Sequence, residues 1–311
     1  MLGGLWLSIA VLIAAVGGLW IGARLFVDNA ASLARGFGIS ELVIGLTVVA
    51  IGTSLPELVV TVDATLAGAG NVAVGNVVGS NLYNLAFVLG VVVLAGSVAV
   101  PRSLARRDGP ILFAATALVA LVLLDLRLAR FEATILLLAL VAYLLTLARA
   151  GGERDEGRPD PPAAVGLRTG LVLCFGLALV VASGHVLVET AVALARAAGV
   201  SEWAIGVTVV AAGTSTPEFA VSLVALSQRR PGLSVGNLLG SNVFNALGVL
   251  GIAGLFGPLS VDPAALSDLG WLLVVTGFVT VSLRSGHRLS RVEGGLLVSS
   301  EALRWALGFL R

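Results

Sequence analysis

Apolar residues occupy the chain in long runs separated by short polar clusters. Ten runs, at 5–26, 39–67, 72–98, 109–126, 130–148, 168–195, 201–227, 232–256, 268–284 and 290–309, are read as helices crossing a bilayer, because about 18 or more mainly apolar residues span its hydrocarbon core. The runs at 39–67 and 201–227 are long and interrupted. The last is broken by Glu301 and Arg304 and is expected to be short, tilted or partly interfacial. Residues 150–162 combine Gly, Pro and mixed charge, which reads as a solvated linker too short to hold a regulatory domain. The predicted fold class is an all-α membrane protein of ten transmembrane helices: a first five-helix repeat over 1–149, a linker over 150–165 and a second five-helix repeat over 166–311.

The repeat is explicit in the residues. A shift of 161 positions aligns the halves without a gap: Glu41 meets Glu202, Gly45 meets Gly206, Thr47 meets Thr208, Glu57 meets Glu218, Asn76 meets Asn237, Asn84 meets Asn245, and Arg130 and Glu132 meet Arg291 and Glu293. Five spans per half is an odd number, so the second half enters the membrane from the opposite side. The halves are therefore expected to be inverted about a pseudo-two-fold axis in the membrane plane, with interrupted helices at matching positions pointing to a transporter's central site.

The interruptions carry the chemistry. Gly52-Thr53-Ser54-Leu55-Pro56-Glu57 and Gly213-Thr214-Ser215-Thr216-Pro217-Glu218 place a carboxylate, hydroxyls and a proline inside apolar runs. A carboxylate at membrane depth is costly and marks a functional site by default. Pro56 and Pro217 lack the N–H that the carbonyls of Gly52 and Gly213 would accept in a helix, and freed carbonyls are tolerated in lipid only against protein or a wet cavity. Ser54 and Glu57, three apart, are expected on one helical face. Asn76, Ser80 and Asn84 form a stripe at spacings of four, repeated by Asn237, Ser241 and Asn245. Four such helices packed across the pseudo-axis would surround a chamber of two carboxylates, four amides and several hydroxyls. Every expected ligand is oxygen, which suits Ca²⁺ or Na⁺ and not soft transition metals. A lone Glu in a span can be a protonated structural residue, and Ser or Asn there can be interhelical glue; two glutamates at equivalent positions beside equivalent prolines favour the site. Asp63 has no acidic counterpart, since Val224 aligns with it, and is open to two readings, an outer cation attractor or a water-exposed helix end.

Composition narrows the class. At 58% hydrophobic, 12% charged and a mean hydropathy of +1.03, the chain does not read as a soluble domain. All 19 basic residues are Arg. Fourteen fall in the connections after spans 1, 3, 5, 7 and 9 and five on the other side, which places the 150–165 linker in the cytoplasm and both termini outside. The single cysteine, Cys174, excludes an intramolecular disulfide and is expected as a small buried hydrophobe. Two His give no zinc-type spacing, and no basic patch interleaves with aromatics, so no nucleic-acid partner is expected. The first run starts almost at Met1 with no basic segment before it, so no cleavable signal peptide is expected. The expected partners are the transported ions and the lipid bilayer, with the chain a monomer and without a resident cofactor.

Gly45 to Glu57 with Gly75 to Asn84, and their second copies Gly206 to Glu218 and Gly236 to Asn245, resemble the two α-repeats of the cation/Ca²⁺ exchanger superfamily, in its prokaryotic Na⁺/Ca²⁺ exchanger-like branch. Looser similarity, including Arg130-Phe131-Glu132 and Arg291-Val292-Glu293-Gly294, covers nearly the whole chain. The resemblance implies ten helices in two inverted halves, alternating access and a place in the inner membrane of a prokaryotic cell. It implies that Glu57 and Glu218 are shared Ca²⁺ and Na⁺ ligands, joined by Thr53, Thr214 and the backbone carbonyls of Ala50 and Ala211. By the same resemblance Ser54, Ser80, Ser215 and Ser241 line flanking Na⁺ sites, and Asn84 and Asn245 sit at the centre. It further implies exchange of three Na⁺ for one Ca²⁺. Some exchangers carry Asp at a central position where this chain has Asn84 and Asn245. The chamber then holds two formal negative charges, which match one Ca²⁺ but leave three Na⁺ with an excess of one.

The function these readings favour is secondary antiport of Ca²⁺ against Na⁺, with no enzymatic reaction. Spans 1 and 6, long and glycine-containing, are expected to slide past the packed core. Ca²⁺/H⁺ antiport on the same architecture is the alternative, because both glutamates can take protons. An intramembrane hydrolase using the two acids as a dyad fits less well, since hydroxyls and amides around the acids suit ion binding. A channel fits less well than inverted broken-helix halves working by alternating access.

Overall fold

The computed structural model describes residues 2–96, 98–99, 101–150, 166–198, 211–285 and 288–309. Of the expected linker, 151–165 lies outside the described residues, as does 199–210 with Glu202, Gly206 and Thr208. The chain is helical nearly throughout: α1 (Leu2–Phe37), α2 (Glu41–Thr53), α3 (Leu55–Leu66), α4 (Gly70–Ala95), α5 (Gly109–Val122), α6 (Arg130–Ala150), α7 (Leu167–Ala197), α8 (Ala211–Gly213), α9 (Thr216–Ser227), α10 (Pro231–Phe256), α11 (Ala264–Ser285) and α12 (Arg291–Phe309). Six of these (α1, α4, α6, α7, α10 and α11) are long and apolar enough to cross a bilayer, and α2 with α3 makes a seventh span bent by 45°. The protein is a multi-pass, all-helical membrane protein.

Burial sorts the helices into core and shell. The spans α4 and α10 are 78% and 89% buried, against 22–28% for α1, α6, α7 and α11. The shell presents large apolar side chains outward, among them Trp6, Ile13, Leu138, Leu171, Phe175 and Val274. An apolar exterior around a polar-lined interior is the arrangement a bilayer selects. Cys174 belongs to this exterior and not to the interior expected of it: it is exposed. In a helix wrapped by lipid an apolar side chain gains nothing by turning inward, so hydrophobicity alone does not predict its direction.

One helix runs well past its apolar stretch. α1 continues past residue 26 to Phe37 because Ala23, Phe26, Val27, Ala30, Ala31 and Ala34 keep one face fully buried at spacings of three and four. Arg24 and Asp28 end the apolar run but lie on the opposite, exposed face. α1 and α7 pack on each other at glycines: a Cβ on Gly22 would lie 2.9 Å from Gly176 O, and one on Gly176 would lie 2.7 Å from Phe26 N. α12 keeps its two charges by pairing them. Glu301 is 1% exposed and accepts both Nε and Nη2 of Arg304, at 2.9 and 2.6 Å.

Equivalent residues make equivalent contacts. The two-residue strands β1 (Val98–Ala99), β2 (Arg127–Leu128), β3 (Leu259–Ser260) and β4 (Arg288–Leu289) pair antiparallel, β1 with β4 and β2 with β3. Val98 faces Leu289, and Leu128 faces Leu259. Each pair maps onto the other under the 161-residue shift with the halves exchanged. The turns before α4 and α10 match as well: Gly68 and Arg229 both adopt left-handed backbone (φ +72° and +59°), and the next residue's N–H closes each turn onto Ala64 O and Ala225 O.

Candidate functional site

The helix break falls where proline dictates. α2 ends at Thr53, Ser54 leaves helical geometry (φ −85°, ψ 7°), and α3 restarts at Leu55 with Pro56 in its first turn. Proline is pre-shaped for that position and cannot donate to Gly52 O. In the second half Ser215 takes the same backbone (φ −87°, ψ 8°), and α9 restarts at Thr216 ahead of Pro217. Glu57 and Glu218 therefore sit in the first turn of a new helix, where free N–H groups favour a carboxylate. Both are fully buried.

The break sends each serine to the other half. Ser54 and Glu57 do not act as one face of a continuous helix. Ser54 Oγ donates to Glu218 Oε1 at 3.1 Å, and Ser215 Oγ donates to Glu57 Oε1 at 3.1 Å. Each carboxylate is thereby held by the opposite repeat, and the two lie close enough for their charges to interact. The second oxygens, Glu57 Oε2 and Glu218 Oε2, are buried without a protein partner among the described residues.

A second ring of polar side chains comes from α4 and α10. Ser80 Oγ lies 3.3 Å from Thr214 Oγ1, and Ser241 Oγ lies 3.3 Å from Thr53 Oγ1. Ser241 Oγ also donates to Ala50 O at 3.3 Å, so that carbonyl faces α10. Thr53 Oγ1 is within 3.3 Å of Ala50 O and 3.1 Å of Asn237 Oδ1; its one proton serves one acceptor at a time and leaves the hydroxyl oxygen open to a cation. No contact of the Ala211 carbonyl is described.

Asn84 and Asn245 lie fully buried in short π-helical segments, Tyr83–Val88 and Phe244–Val249. Such segments often mark functional sites because the extra residue re-aims side chains. Neither amide has a protein hydrogen-bond partner for its oxygen or its nitrogen among the described residues. Buried polar groups left unpaired are rare and call for a specific explanation. The other amides behave differently. Asn76 Nδ2 donates to Glu57 O and Thr61 Oγ1 at 3.3 and 3.0 Å, and Asn237 Nδ2 donates to Glu218 O and Ser222 Oγ at 3.4 and 3.0 Å. They brace the restarted helices from behind. Asn81 Nδ2 donates to Asn242 O at 3.1 Å and ties α4 to α10, the glue role.

The structure joins eight of the expected side chains by direct bonds, Glu57, Glu218, Thr53, Thr214, Ser54, Ser215, Ser80 and Ser241, while Asn84 and Asn245 share helices with Ser80 and Ser241 without a described bond to the rest. The sequence did not single out Thr61 and Ser222. Each lies four residues after its glutamate, one turn on along the same face, which was the available signal. Asp63 is exposed at the far part of α3. Among the described residues no group of three or more His, Cys, Asp or Glu is gathered, so any cation here is held by two carboxylates supplemented with neutral oxygens.

Residues 7–149 and 169–300 match the family profile described as "Sodium/calcium exchanger protein". The chain is 36% identical over 303 residues to a putative antiporter, CaxA, of Alkalimonas amylolytica, covering 94% of this chain and 95% of that one. It is 29% identical over 322 residues to the sodium/calcium exchanger MaX1 of Methanosarcina acetivorans, covering 89% and 91%. The solved structure of the sodium-calcium exchanger NCX_Mj superposes with a TM-score of 0.84 at 27% identity, over 96% of this chain and 98% of that one. These relatives are transporters and not enzymes. With its profile match running through both halves and its fold shared nearly end to end, the chain belongs to the sodium/calcium exchanger protein family.

Proposed function

We propose that this protein is a secondary antiporter exchanging Ca²⁺ for Na⁺ by alternating access. The observation that carries the proposal is the crossed pair of Ser–Glu bonds. Among the described residues it leaves one buried oxygen on each of Glu57 and Glu218 unpartnered, and the buried amides of Asn84 and Asn245, on α4 and α10, are unpartnered as well. Ca²⁺ takes six to eight oxygen ligands, and Thr53, Thr214, Asn84, Asn245 and the carbonyls of Ala50 and Ala211 supply neutral ones. Ser54, Ser80, Ser215 and Ser241 offer flanking positions for Na⁺. Both ions draw on the same two carboxylates, so they compete. Without an ion the two charges repel in a low-dielectric interior, and the chamber resists closing. Neutralised by a cation, it closes, which couples the two fluxes.

The proposal includes ten spans in two inverted five-helix halves, with both termini outside, the linker inside, and the protein in a prokaryotic inner membrane. The matched contacts of equivalent residues support the inversion. α1 and α7 are the moving pair. They meet on glycine flats, and α7 reaches both helix breaks: a Cβ on Gly52 would lie 3.0 Å from Leu177, and one on Gly213 would lie 2.9 Å from Val188. Sliding α7 then covers one break while uncovering the other.

Ca²⁺/H⁺ exchange is the second reading, favoured by one observation: the free oxygens Glu57 Oε2 and Glu218 Oε2 accept protons as readily as metal. Ca²⁺ flux in proteoliposomes under separate Na⁺ and H⁺ gradients decides between them. Flux driven by a Na⁺ gradient at clamped pH supports sodium coupling; flux driven only by a pH gradient replaces it.

A further inference from the structure

We propose that the ribbon of β1 and β4 carries a binding site for the phosphate headgroups of anionic phospholipids. Arginines converge on this ribbon from three stretches of chain. Arg288 lies in β4 opposite Ala99 of β1. Arg291 follows it by three residues in the first turn of α12, and Arg102 follows Ala99 by three. Arg284, at the end of α11, donates Nε to Ala105 O at 3.2 Å, which draws the turn that carries Arg106 onto α11. All five arginines are exposed. Among the described residues Arg102, Arg106, Arg288 and Arg291 make no ion pair. The neighbouring acids are engaged elsewhere. Asp108 is buried and accepts Arg107 Nε and Nη2 at 2.9 and 3.1 Å, and Glu293 accepts the Ser290 N–H and hydroxyl at 2.6 and 2.7 Å.

The surroundings select a lipid. Leu94 at the end of α4, Val281 of α11, and Val292 of α12 next to Arg291 are exposed apolar side chains beside the ribbon. An acyl chain lying on them sets its phosphate at the level of the guanidinium groups, whereas a soluble anion gains nothing from them. Each guanidinium is a planar fork that meets phosphate oxygens in pairs. The repeat supplies the comparison. The ribbon of β2 and β3 has the same pairing in the opposite half, and there Arg288 and Arg291 become Arg127 and Arg130. Arg102, Arg106 and Arg284, however, become Pro263, Ser267 and Leu123, and the exposed acids Asp125, Asp262 and Asp268 stand nearby. One backbone arrangement thus carries opposite net charge in the two halves. A bias of arginine toward one side orients a chain, but it does not require convergence on one ribbon. In the orientation proposed above the basic ribbon is cytoplasmic, though the site does not depend on that. A phosphate held there ties the end of α4, the buried helix that carries Ser80 and Asn84, to the headgroup layer.

Lipid retention by the full-length protein in detergent tests the site separately from transport. Native mass spectrometry reads it with phosphatidylglycerol or phosphatidylcholine of identical chains. Wild type is expected to retain phosphatidylglycerol at least about ten-fold more strongly. Arg288→Gln with Arg291→Gln is expected to weaken that retention about 25-fold, because each basic residue near an anionic surface contributes about five-fold. The equivalent pair, Arg127→Gln with Arg130→Gln, removes the same charge from the same geometry and is expected to change retention less than about two-fold, because the supporting arginines are absent there. Arg288→Lys with Arg291→Lys keeps the charge without the fork and is expected to fall between wild type and the Gln pair. Should a double variant fail to fold, Arg106→Gln alone is expected to weaken retention about five-fold. Equal losses in the two Gln pairs mean general surface attraction and overturn the proposal, as does equal retention of the two lipids. Displacement of phosphatidylglycerol by inorganic phosphate assigns the patch to a soluble anion and overturns it too. The other candidate occupant is the linker, with Glu153, Asp155, Glu156 and Asp160. If phosphatidylglycerol binds only after these are changed to Gln and Asn, the patch belongs to the linker and the lipid site falls.

Discussion

Ser54 and Glu218 are 164 residues apart in sequence and 3.1 Å apart in space, and the equivalent pair, Ser215 and Glu57, repeats the distance. Each half of the protein therefore completes the acid of the other. A hydrogen bond to a buried charged group contributes roughly 1.5–3 kcal/mol. Ser54→Ala and Ser215→Ala are each expected to weaken cation binding by about ten-fold or more, measured as apparent affinity in proteoliposome flux. The two variants are expected to match within about three-fold, because their environments are equivalent. Opposite effects, one weakening and one neutral, would show that the chamber is not shared.

Removing a carboxylate tests the charge balance directly. Glu57→Gln and Glu218→Gln keep the shape of the side chain and its contact with the opposite serine but delete one of two formal charges. Ca²⁺ uptake is expected to fall below detection in either variant, with thermal unfolding in detergent unchanged or slightly raised, since an uncompensated buried charge is costly to hold. Retained uptake in both variants would remove the site.

Pro56 and Pro217 are expected to act through the backbone. In Pro56→Ala the restored N–H recaptures Gly52 O and favours a helix continuous from α2 into α3, reducing the 45° bend. Ser54 then turns with its own helix and away from Glu218. Stability is expected to rise or hold, while Ca²⁺ affinity falls about ten-fold, the scale of one lost charge-assisted bond. Helical continuity is read by hydrogen exchange at residues 52–58, and affinity by isothermal calorimetry.

Much of this was legible in the sequence because the signals repeat. Glu57 and Glu218, their prolines and the stripes through Ser80 and Ser241 stand out as polar exceptions in apolar runs, and the 161-residue shift shows that each exception occurs twice. The crossing of the serines was not legible. Periodicity assigns Ser54 and Glu57 to one face only if the helix is unbroken, and the break falls between them. The length of α1 was hidden for a similar reason. Arg24 and Asp28 end the apolar run, yet the buried face continues through Ala30, Ala31 and Ala34, so hydropathy stops where amphipathicity does not. Cys174 shows the limit of composition in a membrane protein, where the apolar exterior removes the rule that hydrophobic residues turn inward.

Asn84 and Asn245 lack protein hydrogen-bond partners among the described residues, so their replacement should cost the ion and not the fold. Asn84→Ala and Asn245→Ala are expected to leave unfolding temperature within a few degrees and to reduce Ca²⁺ affinity by at least about ten-fold, because a fully desolvated cation loses an oxygen that nothing replaces. Asn84→Asp adds a third charge to the chamber and is expected to strengthen Na⁺ competition against Ca²⁺. A Ca²⁺ titration at several fixed Na⁺ concentrations reads both effects.

Gly236 and Gly75 occupy equivalent positions in the two halves, and the pair gives the sharpest test of alternating access. A Cβ on Gly236 would meet Leu42 O at 2.8 Å and Leu46 N at 3.2 Å, whereas one on Gly75 meets nothing within 4 Å among the described residues. Backbone cannot yield as a side chain tip can, so Gly236→Ala is expected to destabilise this conformation by about 1–3 kcal/mol. Gly75→Ala is expected to leave the unfolding temperature unchanged. If the cycle exchanges the two faces, however, α4 must at some stage close on its partner as α10 closes on α2. The added methyl then obstructs that stage alone. Gly75→Ala should therefore bind Ca²⁺ with normal affinity and yet transport it several-fold more slowly. Unfolding temperature, Ca²⁺ binding and flux measured on one preparation separate the outcomes: normal flux in Gly75→Ala means the second closure does not occur, and exchange must then proceed by some route other than the equivalence of the halves.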